Sequence, residues 1–150
     1  MPNIASAADA ELILKLYDLR REAEMRKARD FIANFWPENV DQVKKVFMNF
    51  GAGENAYFRQ VITYWEMAAA LVLHGTINEE LFFATQGEMW FVLSKFRPFL
   101  DELRAFANAP EFLKNIETVA TRTEKGRQRL QDTEARIRKF REMSKAAASR

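Results

Sequence analysis

The stretch from Tyr57 to Leu100, YFRQVITYWEMAAALVLHGTINEELFFATQGEMWFVLSKFRPFL, decides the fold. In its first half Tyr57, Phe58, Val61, Ile62, Tyr64, Trp65, Ala68, Ala69, Leu71 and Val72 cover most of a helix circumference, the pattern of a helix surrounded by others. Only a stripe through Arg59, Thr63, Glu66 and Ala70 escapes. His74 and Gly75 close this arm, because glycine supplies a left-handed C′ residue and histidine suits the negative end of the helix dipole. Asn78 caps the next arm, Glu79 and Glu80 occupy its positive first turn, and Ile77 can pack on Phe82 as a hydrophobic staple. The second arm buries Leu81, Phe82, Met89, Trp90, Leu93 and Phe96 as far as Pro98, with Gly87 expected at a close helix crossing. The stretch therefore predicts two antiparallel helices joined by a tight turn from Gly75 to Asn78.

Outward from this hairpin the helical signals continue in both directions. Ser6 with Asp9 forms a capping box, and apolar residues then recur at three- and four-residue steps from Leu12 through Phe35, predicting one long helix that Pro37 ends. At about 27 residues it would be ~40 Å long. Asn39 and Asp41 cap a short second helix that Gly51-Ala52-Gly53 stops. Beyond Pro98 a short piece carries Phe99, Leu100, Leu103 and Phe106, and Pro110 suits the first position of a last helix running to Lys145. Along that helix Ile116, Val119, Thr123, Gly126, Leu130, Thr133, Ile137 and Phe140 form a heptad seam, so Leu130, Ile137 and Phe140 are candidates for an oligomer contact. The expectation is an all-α fold, an antiparallel helical bundle of about five helices with long N- and C-terminal helices. One domain should span residues 1–145, with 146–150 a disordered tail.

Composition narrows the functional classes. Apolar residues make up 48% of the 150, which is globular rather than disordered composition, and few glycines and prolines beside thirteen phenylalanines favour long elements around a heavy core. The absence of cysteine removes disulfides and thiolate chemistry and fits a cytoplasmic protein. No apolar run approaches the ~20 residues of a transmembrane segment, and the N-terminus lacks the pattern of a signal peptide. The net charge of +2 is unevenly spread: from Arg122 onward ten basic residues face four acidic ones, a local +6 that leaves the rest of the chain at −4. Such a tail either complements an acidic body, its own or another copy's, or binds an anionic partner. Interspersed acids and the lack of base-stacking aromatics argue against nucleic acid.

His74 is the only histidine, so histidine triads and paired-histidine metal sites cannot be built within one chain. Gly51-Ala52-Gly53 lacks the downstream Gly-Lys-Ser/Thr of a phosphate loop. No catalytic, metal or cofactor-binding set emerges, and no cofactor is expected. The conspicuous residue is Glu66, a carboxylate inside TYWEMAAALVL. Burial would demand a donor, with Arg97 or an arginine of the first helix as the candidate partner and Arg59 beside it on the half-solvated stripe; the alternative is a ligand or acid/base group. Trp36, Trp65 and Trp90 could line an apolar pocket, although at helical spacing they serve more often as core.

Tyr64-x-Glu66, Gly75-x-Ile77-Asn78-x-x-Leu81 and Trp90 with Phe96 and Pro98 resemble an uncharacterised bacterial domain family that carries an aromatic-x-Glu helix, a Gly-x-Ile-Asp/Asn turn and a tryptophan on the second helix. The resemblance implies a helical domain without assigned catalytic residues. The function expected is a non-enzymatic interaction or scaffold module, self-associating or bound to a protein partner. The alternatives are a ligand-binding regulator with an aromatic pocket near Glu66 and an anion-binding basic C-terminal helix.

Overall fold

The computed structural model describes residues 3–150, and every regular element among them is helical: α1 (Ala7–Arg21), α2 (Ala23–Asn34), α3 (Val40–Met48), α4 (Gly53–Leu73), α5 (Glu79–Thr85), α6 (Glu88–Phe96), α7 (Leu100–Phe106), α8 (Lys114–Thr121) and α9 (Glu124–Ala148), with a 3-10 turn at Arg97–Phe99 between α6 and α7. None of these helices is long and apolar enough to cross a membrane.

Nine helices stand among the described residues where about five are expected: the short piece after Pro98 forms a helix of its own, α7, and three longer elements are broken, each with a local cause. The N-terminal helix divides at Glu22, whose backbone is extended and whose carboxylate accepts the amides of Glu24 and Met25, so that an acidic side chain starts α2. Its pKa is lowered chiefly by those two amides. The second hairpin arm divides at Gln86 and Gly87, where Gly87 begins α6 and has open space around it; it marks an interruption rather than a crossing. The last helix divides at Arg122 and Thr123, and the Thr123 hydroxyl accepts the Gly126 amide to cap α9. Pro110 lies in a turn before α8, which starts after Leu113 in the left-handed conformation (φ 58°). Helix α9 runs on to Ala148 where a disordered tail is expected from Ala146.

The turn from Gly75 to Asn78 is as read. Gly75 is left-handed (φ 74°), the Gly75 amide donates to Val72 and those of Thr76 and Ile77 to Leu71, and the Asn78 side chain accepts the Leu81 amide at 2.9 Å. Asn78 does more than cap. It is buried, its amide donates to Asp9 at 2.7 Å and its side-chain amide to the Asn3 carbonyl at 2.8 Å, which ties the turn to the capping box of α1.

Helix α4 is the axis of the molecule and packs against α2, α8 and α3. The α5–α6 arm meets it through large rings: Phe58 lies edge-on to Phe96 at 5.3 Å, and Trp65 to Phe82 at 6.5 Å. Trp65, Trp90, Phe58, Phe82 and Phe96 are all fully buried, and aromatic pairs of this geometry add about 0.5–1.5 kcal/mol beyond the area they bury. Helix α9 packs on α6 and α8, and at Gly126 it lies tight against the end of α8. A Cβ there would stand 2.7 Å from the Ala120 carbonyl oxygen, while the Gly126 carbonyl accepts the Trp90 indole N–H at 3.2 Å. The glycine in the heptad seam is thus required by packing.

Candidate functional site

Glu66 is half-buried and binds backbone. Its carboxylate accepts the amide of Ile116 at 2.8 Å and lies 3.4 Å from that of Asn115, so it caps the first turn of α8 from outside the helix. Helix α8 needs this, because its N-cap residue Leu113 offers no side-chain acceptor. Burial raises the Glu66 pKa; the two amides and the Arg104 charge oppose the rise without cancelling it. Neither expected arginine is its partner. Arg59 donates to Asn55 at 3.0 Å, and Arg97 forms an ion pair with Glu134 at 2.7 Å. A carboxylate that holds two main-chain amides of a packed helix is committed to structure.

The seam residues are also taken up within the chain. Leu130 and Ile137 are buried on the side of α9 that meets the body, and of the three candidates for an oligomer contact only Phe140 stays exposed. His74 is exposed and closes α4 as read.

The residue that sequence reasoning missed is Lys95, the only buried charged side chain among the described residues. Its ammonium donates to the carbonyls of Ile32, of Ala33 at 3.1 Å and of Phe35 at 2.8 Å, three acceptors at the C-terminal, negative end of α2. It also stands 3.8 Å from the Trp36 ring centre and 4.8 Å from that of Phe91. Burial, with a smaller contribution from the Arg141 charge, pulls its pKa down to about 7. The signal was present in FVLSKF: Val92, Leu93 and Phe96 are buried, and a lysine one residue from a buried phenylalanine on a short helix is as conspicuous as Glu66 on α4.

One further cation repeats this device, and one buried hydroxyl also donates to main chain. Arg129 donates to the carbonyls of Phe83 at 2.6 Å and Gln86 at 2.9 Å where α5 ends, with its guanidinium 4.6 Å from the Trp90 ring centre. Tyr64 donates its hydroxyl to the Leu16 carbonyl at 2.5 Å, and burial pushes its pKa up to about 12. Between α2 and α6, Arg29 grips Glu88 with two nitrogens at 2.6–3.1 Å, and the same carboxylate accepts the Trp65 indole N–H at 3.3 Å. Each of these charged or polar groups serves helix ends or helix contacts.

Open space gathers instead around Phe91, which lines three clefts on the α2–α6–α9 side. The cleft with the most aromatic wall, about 520 Å³, is bounded by Trp36, Phe91 and Phe140 and by the polar side chains of Glu38, Arg141 and Lys145. Phe91 meets Trp36 edge-on at 6.0 Å, and the Arg141 guanidinium stands 5.8 Å from the Trp36 ring centre. Arg141 and Lys145 form no ion pair among the described residues.

Compared with known families, residues 5–123 match the model described as Domain of unknown function (DUF4760). The chain belongs to this family. The DUF4760 match takes in the α4–α6 hairpin, Glu66, Lys95, Trp36 and Phe91, and it ends at Thr123, the cap of α9. Phe140, Arg141 and Lys145 therefore lie beyond the DUF4760 segment, on the helix that carries the basic excess. No curated protein and no solved structure matches the chain.

Proposed function

We propose that the protein is a non-enzymatic helical interaction module, built as an antiparallel bundle, that self-associates through the exposed outer face at the end of α9. What supports this reading is the destination of its most buried titratable groups: Glu66, Lys95, Arg129 and Tyr64 all spend their polar atoms on main-chain groups, as structural rather than reacting residues do. The outer end of α9 offers the contrasting surface. Phe140 and Met143 are exposed, surrounded by Arg138, Lys139, Arg141 and Lys145, and the residues before Arg122 carry a net −4 that such a surface complements in a second copy.

Sedimentation velocity of the full chain, from low to high micromolar concentration, tests the proposal. The expected result is a sedimentation coefficient that rises with concentration, falls back in high salt, and stays at the monomer value in the double variant Phe140→Asp, Met143→Asp. A wild-type chain that sediments as a monomer throughout would refute self-association.

A further inference from the structure

Beyond self-association, the geometry points to the cleft between Trp36, Phe91 and Phe140 as a binding site for a small organic monoanion with an apolar or aromatic body. Three aromatic side chains give it apolar walls, and its volume of about 520 Å³ falls in the range of small-molecule sites. Charged groups share the lining with them. Arg141 and Lys145 supply two positive charges and Glu38 one negative, so the charged lining residues sum to +1, which matches a single negative charge and disfavours a dianion. Lys95, beneath Trp36 and Phe91, is engaged with the α2 carbonyls and offers no free donor, adding positive potential only while protonated. Arg141 is placed for such a ligand: its guanidinium already lies against the Trp36 ring, where a carboxylate could accept from it while the body of the ligand stacks on the indole.

The cleft is formed by the last residues of α2 and the loop after it, by α6, and by the end of α9, so it exists only where the basic helix folds back over the family domain. Isothermal titration of the full chain with 2-naphthoate tests the inference, with 2-naphthalenemethanol as the uncharged twin and inorganic phosphate as a competitor. The expected result is one saturable site with Kd on the order of 10–100 μM, binding of the alcohol about tenfold or more weaker, and no displacement by phosphate at equal concentration. The double variant Arg141→Gln, Lys145→Gln should keep wild-type helicity and melting temperature while losing about tenfold in naphthoate affinity, because both side chains reach solvent and hold no ion pair. The inference is overturned if naphthoate fails to saturate below about 1 mM, if the alcohol binds equally well, if phosphate displaces naphthoate, or if the variant binds unchanged. Phe140, Arg141 and Lys145 belong to both the cleft and the proposed self-association surface, so the titrations are run at a chain concentration where sedimentation shows only monomer, and the variant Met143→Asp, which lies outside the cleft lining, should lose self-association while keeping naphthoate affinity.

Discussion

Replacing Lys95 with methionine removes the charge while keeping a side chain of similar length in a site that is only 5% exposed. In the unfolded chain this lysine keeps its proton up to about pH 10.5, whereas in the folded chain burial brings the pKa down to about 7. Between those values the unfolded state binds more protons than the folded state, so the contribution of Lys95 to stability rises with pH across that window and is flat below it. The full gap corresponds to at most about 5 kcal/mol. Three carbonyl acceptors and two ring faces favour the ammonium and reduce that ceiling, since a hydrogen bond to a charged group is worth about 1.5–3 kcal/mol. Arg141, the other charge facing the site, acts against the ammonium, and no carboxylate contributes to the shift. Urea unfolding of wild type and Lys95→Met at half-unit steps from pH 6 to 10 isolates the effect, because every other titration is common to both chains. The stability difference should be constant up to about pH 7 and then move in favour of wild type by about 2 kcal/mol or more by pH 10. A difference that stays level would refute the reasoning and mean that the α2 carbonyls hold the lysine charged throughout.

Gly126→Ala should destabilise the protein by about 1–3 kcal/mol in thermal or urea unfolding, even though alanine is the better helix former, because the added methyl meets the Ala120 carbonyl; a stabilised variant would show that α8 and α9 can separate freely. Glu66→Ala should cost about 1–2 kcal/mol by uncapping α8, and Glu66→Gln less, since an amide oxygen can still accept the Ile116 amide. Because the folded pKa of Glu66 lies above its ordinary value, the folded state binds its proton more readily, so the Glu66→Gln deficit should widen as pH falls through the carboxylate range, as read from paired unfolding curves. Leu130→Asp should lose the cooperative melting transition rather than dissociate an oligomer, because it places a carboxylate in the core; a folded monomer by circular dichroism and sedimentation would restore the seam as an intermolecular contact.

The parts of this fold that were legible in the sequence are those specified by neighbouring residues. The Gly75–Asn78 turn, the Ser6–Asp9 capping box and the Asn39 cap all formed as read, because each depends on dihedral preference and on side-chain acceptors within three residues. The helix breaks were harder. Apolar periodicity runs through Glu22 and Thr123 without interruption, and a helix-starting glutamate is poorly distinguished from a glutamate inside a helix until its carboxylate is seen turning back to the amides of Glu24 and Met25. Gly126 shows the same limit from another side: a small residue in a heptad seam reads as a weak coiled coil, whereas its neighbour across the gap, Ala120, belongs to a separate helix whose existence the sequence did not announce.

The site residues divide along the same line. Glu66 stood out as a carboxylate among apolar residues, but its partner could not be read, because a side chain that seeks another side chain and one that seeks a backbone amide look identical in a sequence. The amides it holds are 49 and 50 positions away and become donors only because α8 begins at Lys114, itself a consequence of Leu113 adopting a left-handed backbone. Lys95 obeys the same logic with the opposite sign, its acceptors exposed only because α2 ends at Asn34. A fold with nine helices among its described residues has many unpaired amides and carbonyls at its helix ends, and here several are satisfied by charged groups from distant elements: Glu66 for α8, Lys95 for α2, Arg129 for α5. Arg141 and Lys145, by contrast, hold no ion pair among the described residues and line the aromatic cleft.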